Sequence, residues 1–165
     1  MTLSRMAAIG PRIGAFALFT SMAFAAHAQG RFTISADGQE VTDSTTRVVW
    51  RRCAEGMHWD GKACSGKAAT FSYAGAKKAA AAAKQGGKAW RIPAKDELVA
   101  LVDMAKKKPR IDPQAFPQTP SKLFWATREG SDDDLNAWLV SFSNGKVRAN
   151  NGQSKFPLRL VRAGA

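Results

Sequence analysis

Basic side chains are the groups in this sequence best suited to bind a ligand, since it contains 25 lysines and arginines but only 13 acids. The formal net charge of +12 favours anionic partners such as sulfated or phosphorylated glycans, lipopolysaccharide, membrane surfaces or nucleic acid. We expect a polyanion to bind the basic residues of one predicted helix and of the C-terminal region, namely Lys77, Lys78, Lys84, Lys146, Arg148, Arg159 and Arg162. The alternative is a generally basic surface that only keeps the protein soluble.

Side chains for catalysis are scarce. The two histidines are His27, in an N-terminal leader described below, and His58. Without His58 no Ser-His-Asp or Cys-His arrangement can be assembled, and the sequence has no glycine-rich phosphate loop with its lysine. We therefore expect a protein that is not an enzyme and that needs no cofactor.

Hard oxygen ligands are concentrated in the stretch "SDDDLNAW", residues 131–138. Asp132, Asp133, Asp134 and Asn136 are of the type that Ca²⁺ prefers. Their spacing is neither that of an EF-hand nor the "EPN" or "WND" signature of calcium-binding lectins. We interpret the stretch as a solvated acidic turn before a strand and predict no metal site.

The N-terminal segment has the features of a cleavable signal peptide. It contains two arginines, an uncharged apolar stretch over residues 13–26 and an A-x-A site at Ala26-His27-Ala28. We expect cleavage after Ala28 and a periplasmic or secreted protein without a membrane span, an uncleaved anchor being the alternative. Residues 29–165 number 137 (165 less 28), carry a charge of +10 (+12 less two arginines) and suit one domain. Export makes nucleic acid the least expected partner.

The two cysteines, Cys53 and Cys64, predict one disulfide bond, because an even pair in an exported chain is typically bridged. A metal site would need more ligands than these two residues and His58. The closed loop contains Trp59, the tryptophan that we most expect to be exposed. An exposed indole there would be able to stack on a sugar.

Two helices are predicted in the middle of the chain. The first begins after the N-cap Ser72 and ends at Gly86-Gly87. The second follows the stretch "WRIP" and ends before Pro109, with Lys106, Lys107 and Lys108 in its last turn. Its apolar residues recur at i, i+3, i+4 and i+7, as Leu98, Leu101, Val102 and Ala105.

Strands are predicted on both sides of the helices. They cover residues 32–35 and 48–51 before the helices, and 124–127, 137–142, 147–148 and 158–162 after them. A tight turn over residues 143–146 joins two of the later strands. Two helices with antiparallel strands from both ends of the domain indicate an α+β fold.

The motifs and their order resemble a known family. The segments "TDSTTRVVWRRC", "WRIPAKDEL", "FW", "AWLVSFSNGKV" and "LVR", spread from Val41 to Arg162, resemble the Lcl C-terminal domain family of exported bacterial domains. The stretch "WRIP…E" is also similar to the formylglycine-generating enzyme and sulfatase-modifying factor group, which implies a C-type-lectin-like fold. Adhesion to sulfated polysaccharides in the family's named member implies anionic glycan binding at the bacterial envelope. The alternative is a structural or protein–protein interaction module of the envelope.

The sequence departs from these patterns at three points. Arg47 stands where family members usually have glycine, and no cysteine pair follows Cys64 as in the formylglycine enzymes. Ala94 replaces the usual threonine, so the capping box keeps Glu97 but lacks a side-chain acceptor at the N-cap, at a cost of about 1 kcal/mol.

Arg91 lies between two large apolar residues just before the second helix. Pro93 keeps the residue before it extended, so Trp90 and Ile92 point to one side and Arg91 to the other. We expect a structural arginine that pairs with Glu97 or donates to loop carbonyls, because its planar fork suits a fixed network. A ligand contact is the alternative. Four tryptophans in or beside predicted strands, Trp50, Trp90, Trp125 and Trp138, are expected in the core.

Overall fold

The fold was determined as a computed structural model that describes residues 30–84, 87–127 and 137–164. The predicted signal peptide, Gly86 of the predicted helix end and the acidic stretch over residues 131–136 lie outside these ranges. Within them no helix is long and apolar enough to cross a membrane.

The described residues form an α+β structure that is mostly β. The first half contains β1 (Phe32–Ile34), β2 (Glu40–Asp43), β3 (Val48–Arg51), β4 (Met57–Trp59), β5 (Cys64–Gly66), β6 (Thr70–Phe71) and α1 (Tyr73–Ala83). The second half contains α2 (Lys95–Val99), β7 (Leu123–Thr127), β8 (Ala137–Ser141), β9 (Val147–Asn150), β10 (Phe156–Pro157) and β11 (Val161–Ala163). Two helices and strands from both ends confirm the predicted class. The C-type-lectin-like arrangement stays a prediction.

Antiparallel pairing joins the two ends of the chain. The larger sheet has the order β1-β2-β3-β11, so the last strand pairs with the third, with Val161 opposite Trp50. A three-stranded sheet has the order β7-β8-β9, and β4-β5 and β6-β10 form two small ribbons. The indole N–H of Trp125 donates to the carbonyl of Phe71 at 2.6 Å, which ties the three-stranded sheet to β6.

The core lies in two clusters beside these sheets. One contains Trp50 and packs α2 against the four-stranded sheet, and the other contains Trp90 and Trp125 and receives the alanine face of α1. Trp50 and Trp125 are fully buried and Trp90 is nearly so, as expected, whereas Trp138 is only half-buried.

The Cys53–Cys64 disulfide is formed, with a Cα–Cα distance of 5.5 Å, which confirms the predicted pairing.

The second helix is much shorter than predicted. It ends at Val99, and the next residues make tighter bonds, from Leu101 N–H to the Leu98 carbonyl and from Val102 N–H to the Val99 carbonyl. The Asp103 side chain then accepts from Ala105 N–H, a local bond that competes with helix continuation. The predicted stripe is therefore wrong at Ala105, which is exposed, whereas Val102 still packs against the core.

The three lysines that follow are also exposed, but they lie in an irregular segment. Lys106, Lys107 and Lys108 therefore do not complete a helix C-terminus, and that prediction is wrong.

The predicted partnership of Arg91 and Glu97 is confirmed. The guanidinium makes two parallel hydrogen bonds of 2.7 Å to the carboxylate, and the same carboxylate accepts from the Ala94 N–H at 2.7 Å. The Arg91 backbone exchanges two hydrogen bonds with Val161, which anchors the start of α2 to the four-stranded sheet. Burial raises the pKa of Glu97, but the bonds from Arg91 and Ala94 outweigh it and hold that pKa below its usual value.

Arg159 is fully buried, so its assignment to a polyanion-binding surface is wrong. Its guanidinium donates to the carbonyls of Arg51 and Arg52 and, at 2.8 Å, to the hydroxyl of Thr119. The guanidinium carbon also lies 4.8 Å from the ring centroid of Phe116. Burial lowers its pKa to about 9, while the charge of Glu55 opposes the shift, so the side chain is cationic at neutral pH.

We predict that Arg159→Ser destabilises the domain by about 3 to 5 kcal/mol, because two carbonyls and a hydroxyl lose their buried donor. Chemical denaturation at pH 7 measures the loss. Arg148→Ser removes an equal charge from an exposed position and should change the free energy of unfolding by less than about 0.5 kcal/mol. Equal stabilities of the two variants would contradict the structural role of Arg159.

We predict that Glu97→Gln reduces the acid sensitivity of the fold. The folded pKa of Glu97 is lowered, so its ionic stabilisation is present above the unfolded carboxyl pKa of about 4.3 and is lost as pH falls through the folded value. At pH 7 the variant should be less stable by about 1 kcal/mol, a modest figure because Arg91 is partly solvated. The free energies of unfolding of the variant and the parent should therefore differ at pH 7 and be nearly equal at pH 3, as measured by chemical denaturation at both pH values. A difference in free energy of unfolding between variant and parent that stays constant with pH would contradict the ionic role of Glu97.

Candidate functional site

Three cations meet at one pocket of about 390 Å³, which we call the cationic pocket. They are Lys122, Arg148 and Lys155, and all three are exposed. The other polar residues that line it are Thr70, Ser141, Ser143 and Asn144, and its apolar wall is formed by Leu123, Phe156 and Pro157. Among the residues that the structure describes, the lining therefore contains three positive charges and no carboxylate.

The three-stranded sheet places two of these cations. Lys122 directly precedes β7, and its carbonyl accepts from Phe142 N–H at 2.9 Å where β7 pairs with β8. Arg148 lies in β9, opposite Leu139 of β8. Between β8 and β9 the chain turns back over residues 142–146, with a bond from Gly145 N–H to the Ser141 carbonyl. Gly145 has φ +74°, a conformation that favours glycine, and this residue therefore allows the turn that forms the pocket rim.

The third cation enters from a different part of the fold. Lys155 directly precedes β10, whose Phe156 pairs with Phe71 of β6. The Phe156 ring is half-buried and lies 5.2 Å from the Trp125 ring, centroid to centroid, in an edge-to-face contact. The apolar wall is therefore backed by the core, and Lys155 is held beside it.

The arrangement is suited to bind an anion. None of the ion pairs found among the described residues uses Lys122, Arg148 or Lys155. The Ser143 hydroxyl lies 2.8 Å from that of Ser141, which orients it at the rim. The cations would attract a sulfate, phosphate or carboxylate group, and the neutral hydroxyl and amide groups would donate hydrogen bonds to it.

The predicted polyanion residues do not all gather at this pocket. Arg148 lines it, and Lys146 is exposed in the adjoining turn without lining it. On α1, Lys78 and its C-cap Lys84 are exposed. Lys77 is half-buried, with its ammonium 5.8 Å from the centroid of the Tyr73 ring.

Arg162 makes its contacts within the protein and does not line the cationic pocket. Its guanidinium donates to Glu40 at 2.7 Å and lies 5.4 Å from the Trp90 ring centroid. Glu40 also pairs with Lys88. Burial raises the pKa of Glu40, but its bonds from Lys88 and Arg162 outweigh this effect and lower the pKa. Arg162 is therefore already ion-paired with Glu40, and its predicted part in polyanion binding stays a prediction.

Trp59 has one face already occupied. It is half-buried, and the Arg52 guanidinium carbon lies 3.8 Å from its ring centroid. Gly38 packs against the indole so closely that any side chain there would collide with it. Sugar stacking on Trp59 stays a prediction.

A second groove, of about 620 Å³, contains His58 together with Glu40, Glu55 and Asp37. This is the combination that would favour an enzyme. Glu40 is bound by Lys88 and Arg162, and Glu55 is bound by Arg51 at 3.1 Å. Across the described ranges, no hydrogen bond joins the His58 ring to another side chain, and no three His, Cys, Asp or Glu residues are placed to hold a metal. Glu40 and Glu55 therefore serve ion pairs, and Asp37 accepts from the Ser35 hydroxyl and the Gln39 N–H.

Sequence reasoning missed Lys122. The residue is 26 positions before Arg148 and outside the basic C-terminal region, so only the β7–β8 pairing brings it to the pocket. The segment "SKLFW", in which a lysine directly precedes an apolar strand, is the one local signal that pointed to a cation at a sheet end.

Comparisons with known proteins identify one match. The family model described as the Lcl C-terminal domain matches residues 39–162, which is most of the chain and includes every residue of the cationic pocket. No curated protein and no solved structure matches.

Proposed function

The chain belongs to the Lcl C-terminal domain family, and we propose that it is an exported, non-catalytic domain that binds anionic polysaccharide in the cationic pocket. The observation that carries this proposal is the convergence of Lys122, Arg148 and Lys155 on one pocket whose described lining residues include no carboxylate. A binding role at the bacterial envelope or outside the cell accords with this chemistry. The mature protein would begin after Ala28.

The composition of the pocket favours a charged sugar over a simple ion. Its cations would neutralise sulfate, phosphate or carboxylate groups, and long exposed side chains can follow charges at different positions along a polymer. The apolar wall of Leu123, Phe156 and Pro157 offers a surface for the C–H face of a sugar ring. Both kinds of contact are available in one site of about 390 Å³.

Export is supported by the covalent chemistry of the chain. The bond between Cys53 and Cys64 is of the kind that forms and persists in oxidising compartments. The excess of basic residues would keep such a domain attracted to polyanionic surfaces there.

A structural or protein-interaction role in the envelope is the second candidate function, and the open edge of β1 favours it.

We predict that replacing Lys122, Arg148 and Lys155 together with serine makes the mature domain elute from immobilised heparin at lower salt. The reason is the loss of three charges at one place, in an interaction whose screening length falls from about 10 Å at 0.1 M salt to about 3 Å at 1 M. The midpoint of thermal unfolding should stay nearly unchanged, because all three side chains are exposed.

The matched control replaces Lys106, Lys107 and Lys108 with serine. It removes the same charge from exposed residues that do not line the cationic pocket. Its elution should shift much less than that of the pocket variant, and a column of neutral dextran should retain neither protein. Equal shifts of the two triple variants would show attraction by overall charge alone and would contradict the pocket as the binding site.

A further inference from the structure

Within the part of the chain that the structure describes, the first strand has a strand partner on one side only, and its other edge can pair with a further strand. β1 is the terminal strand of the sheet β1-β2-β3-β11. Bonds from Ser44 N–H to the Arg31 carbonyl and from Ser35 N–H to the Glu40 carbonyl fix the hydrogen-bonded positions of its pairing with β2. Because these positions alternate, the N–H and C=O groups of Phe32 and Ile34 point away from β2. Four backbone groups therefore face outward.

An apolar groove of about 730 Å³ runs along this strand. Its apolar lining consists of Phe32, Ile34, Leu101, Val102, Met104 and Ala115. Met104 is 60% exposed and Ile34 is 40% exposed, and these are the two most exposed large apolar side chains of the described residues. An open strand edge beside exposed apolar side chains is the arrangement to which extended peptides add as an extra strand.

The charges at the groove identify the kind of strand that it would accept. Asp103 and Asp112 both line it, and neither takes part in an ion pair of the described residues. Each uses only its Oδ1 atom, for Ala105 N–H and for the N–H groups of Gln114 and Ala115. Arg31, the one cation among the described residues of the lining, is balanced by Asp43 at 2.7 Å. The groove is thus locally acidic on a strongly basic protein.

We infer that this groove is a docking site for an extended peptide segment of a partner protein, with alternating apolar side chains and a flanking lysine or arginine. The peptide backbone would pair with Phe32 and Ile34, and its apolar side chains would cover Ile34 and Met104. Its cation would lie at Asp103 and Asp112. A second copy of the chain is disfavoured as occupant, because two bodies of net charge +10 repel each other. The site is separate from the cationic pocket, and the two proposals stand independently.

The test uses a synthetic peptide, Lys-Val-Thr-Val-Thr-Val-Lys, titrated into the isotope-labelled mature domain. The amide signals of Phe32 and Ile34 should shift and become protected from hydrogen exchange, while Thr33, already paired with Thr42, should change little. The same peptide with glutamate in place of both lysines should bind at least about fourfold more weakly, since each exposed ion pair contributes a factor of about two.

Two protein variants separate the backbone and charge contributions. Ile34→Pro removes an outward N–H while leaving the bonds to β2, a substitution that edge strands tolerate, and it should weaken binding by about tenfold. Ile34→Val keeps that donor and is its control. Asp103→Asn together with Asp112→Asn keeps the Oδ1 acceptors and removes both charges, which should abolish the preference for lysine over glutamate.

The outcomes decide the inference even if Ile34→Pro fails to fold, because the charge variant and the glutamate peptide remain. Absence of shifts at Phe32 and Ile34 up to millimolar peptide would overturn it. Unchanged lysine preference in the double aspartate variant would do the same. A concentration-dependent dimer in sedimentation velocity, lost in Ile34→Pro, would also overturn it by assigning the edge to a second copy.

Discussion

The buried guanidinium of Arg159 joins segments of the chain that are far apart in sequence. It reaches the carbonyls of Arg51 and Arg52 at the end of β3 and the hydroxyl of Thr119, which lies in the long loop between α2 and β7. The Thr119 hydroxyl in turn donates to the Phe116 carbonyl at 2.8 Å. A buried charge is costly unless hydrogen bonds surround it, so these partners must hold their positions for the domain to fold.

Both candidate surfaces extend from this network. On one side, the loop continues from Thr119 through Pro120 to Lys122, which enters the cationic pocket. On the other side, the Phe116 ring lies 5.3 Å from that of Phe32, centroid to centroid, and so supports β1 from within the core. The disulfide lies beside the same network, since Cys53 follows Arg52. The pocket and the strand edge are thus positioned by one set of buried contacts, although they differ in charge.

Local patterns predicted the features that depend on neighbouring residues. The strands at both ends, the N-cap at Ser72, which accepts from Gly75 N–H at 3.2 Å, and the pairing of Arg91 with Glu97 all follow from spacing and residue type. The position of Arg159 could not be inferred in this way. In "LRLVR" the leucines suggested a strand with arginine facing solvent, but residues 158–160 are outside any strand and are all buried. Lys122 was missed for a related reason, since strand pairing rather than sequence proximity places it.

The length of α2 shows how a tertiary contact overrides an amphipathic pattern. The stripe of Leu98, Leu101 and Val102 is real, but Asp103 N–H bonds to the Arg110 carbonyl and turns the chain back on itself. This turn creates the wall of the apolar groove at Val102 and Met104. A helix that continued to Lys108 would have removed that groove. The segment in which the chain departs from the predicted helix therefore forms part of the apolar groove.

Binding of anionic polysaccharide to the cationic pocket can be followed by titrating a heparin-derived tetrasaccharide into the isotope-labelled mature domain at 0.15 M salt. We expect the largest amide shifts on Lys122, on residues 143–148 and on Lys155 and Phe156, and we expect these shifts to saturate together. Shifts spread evenly over Lys78, Lys84 and residues 106–108, or absent from the pocket, would contradict it.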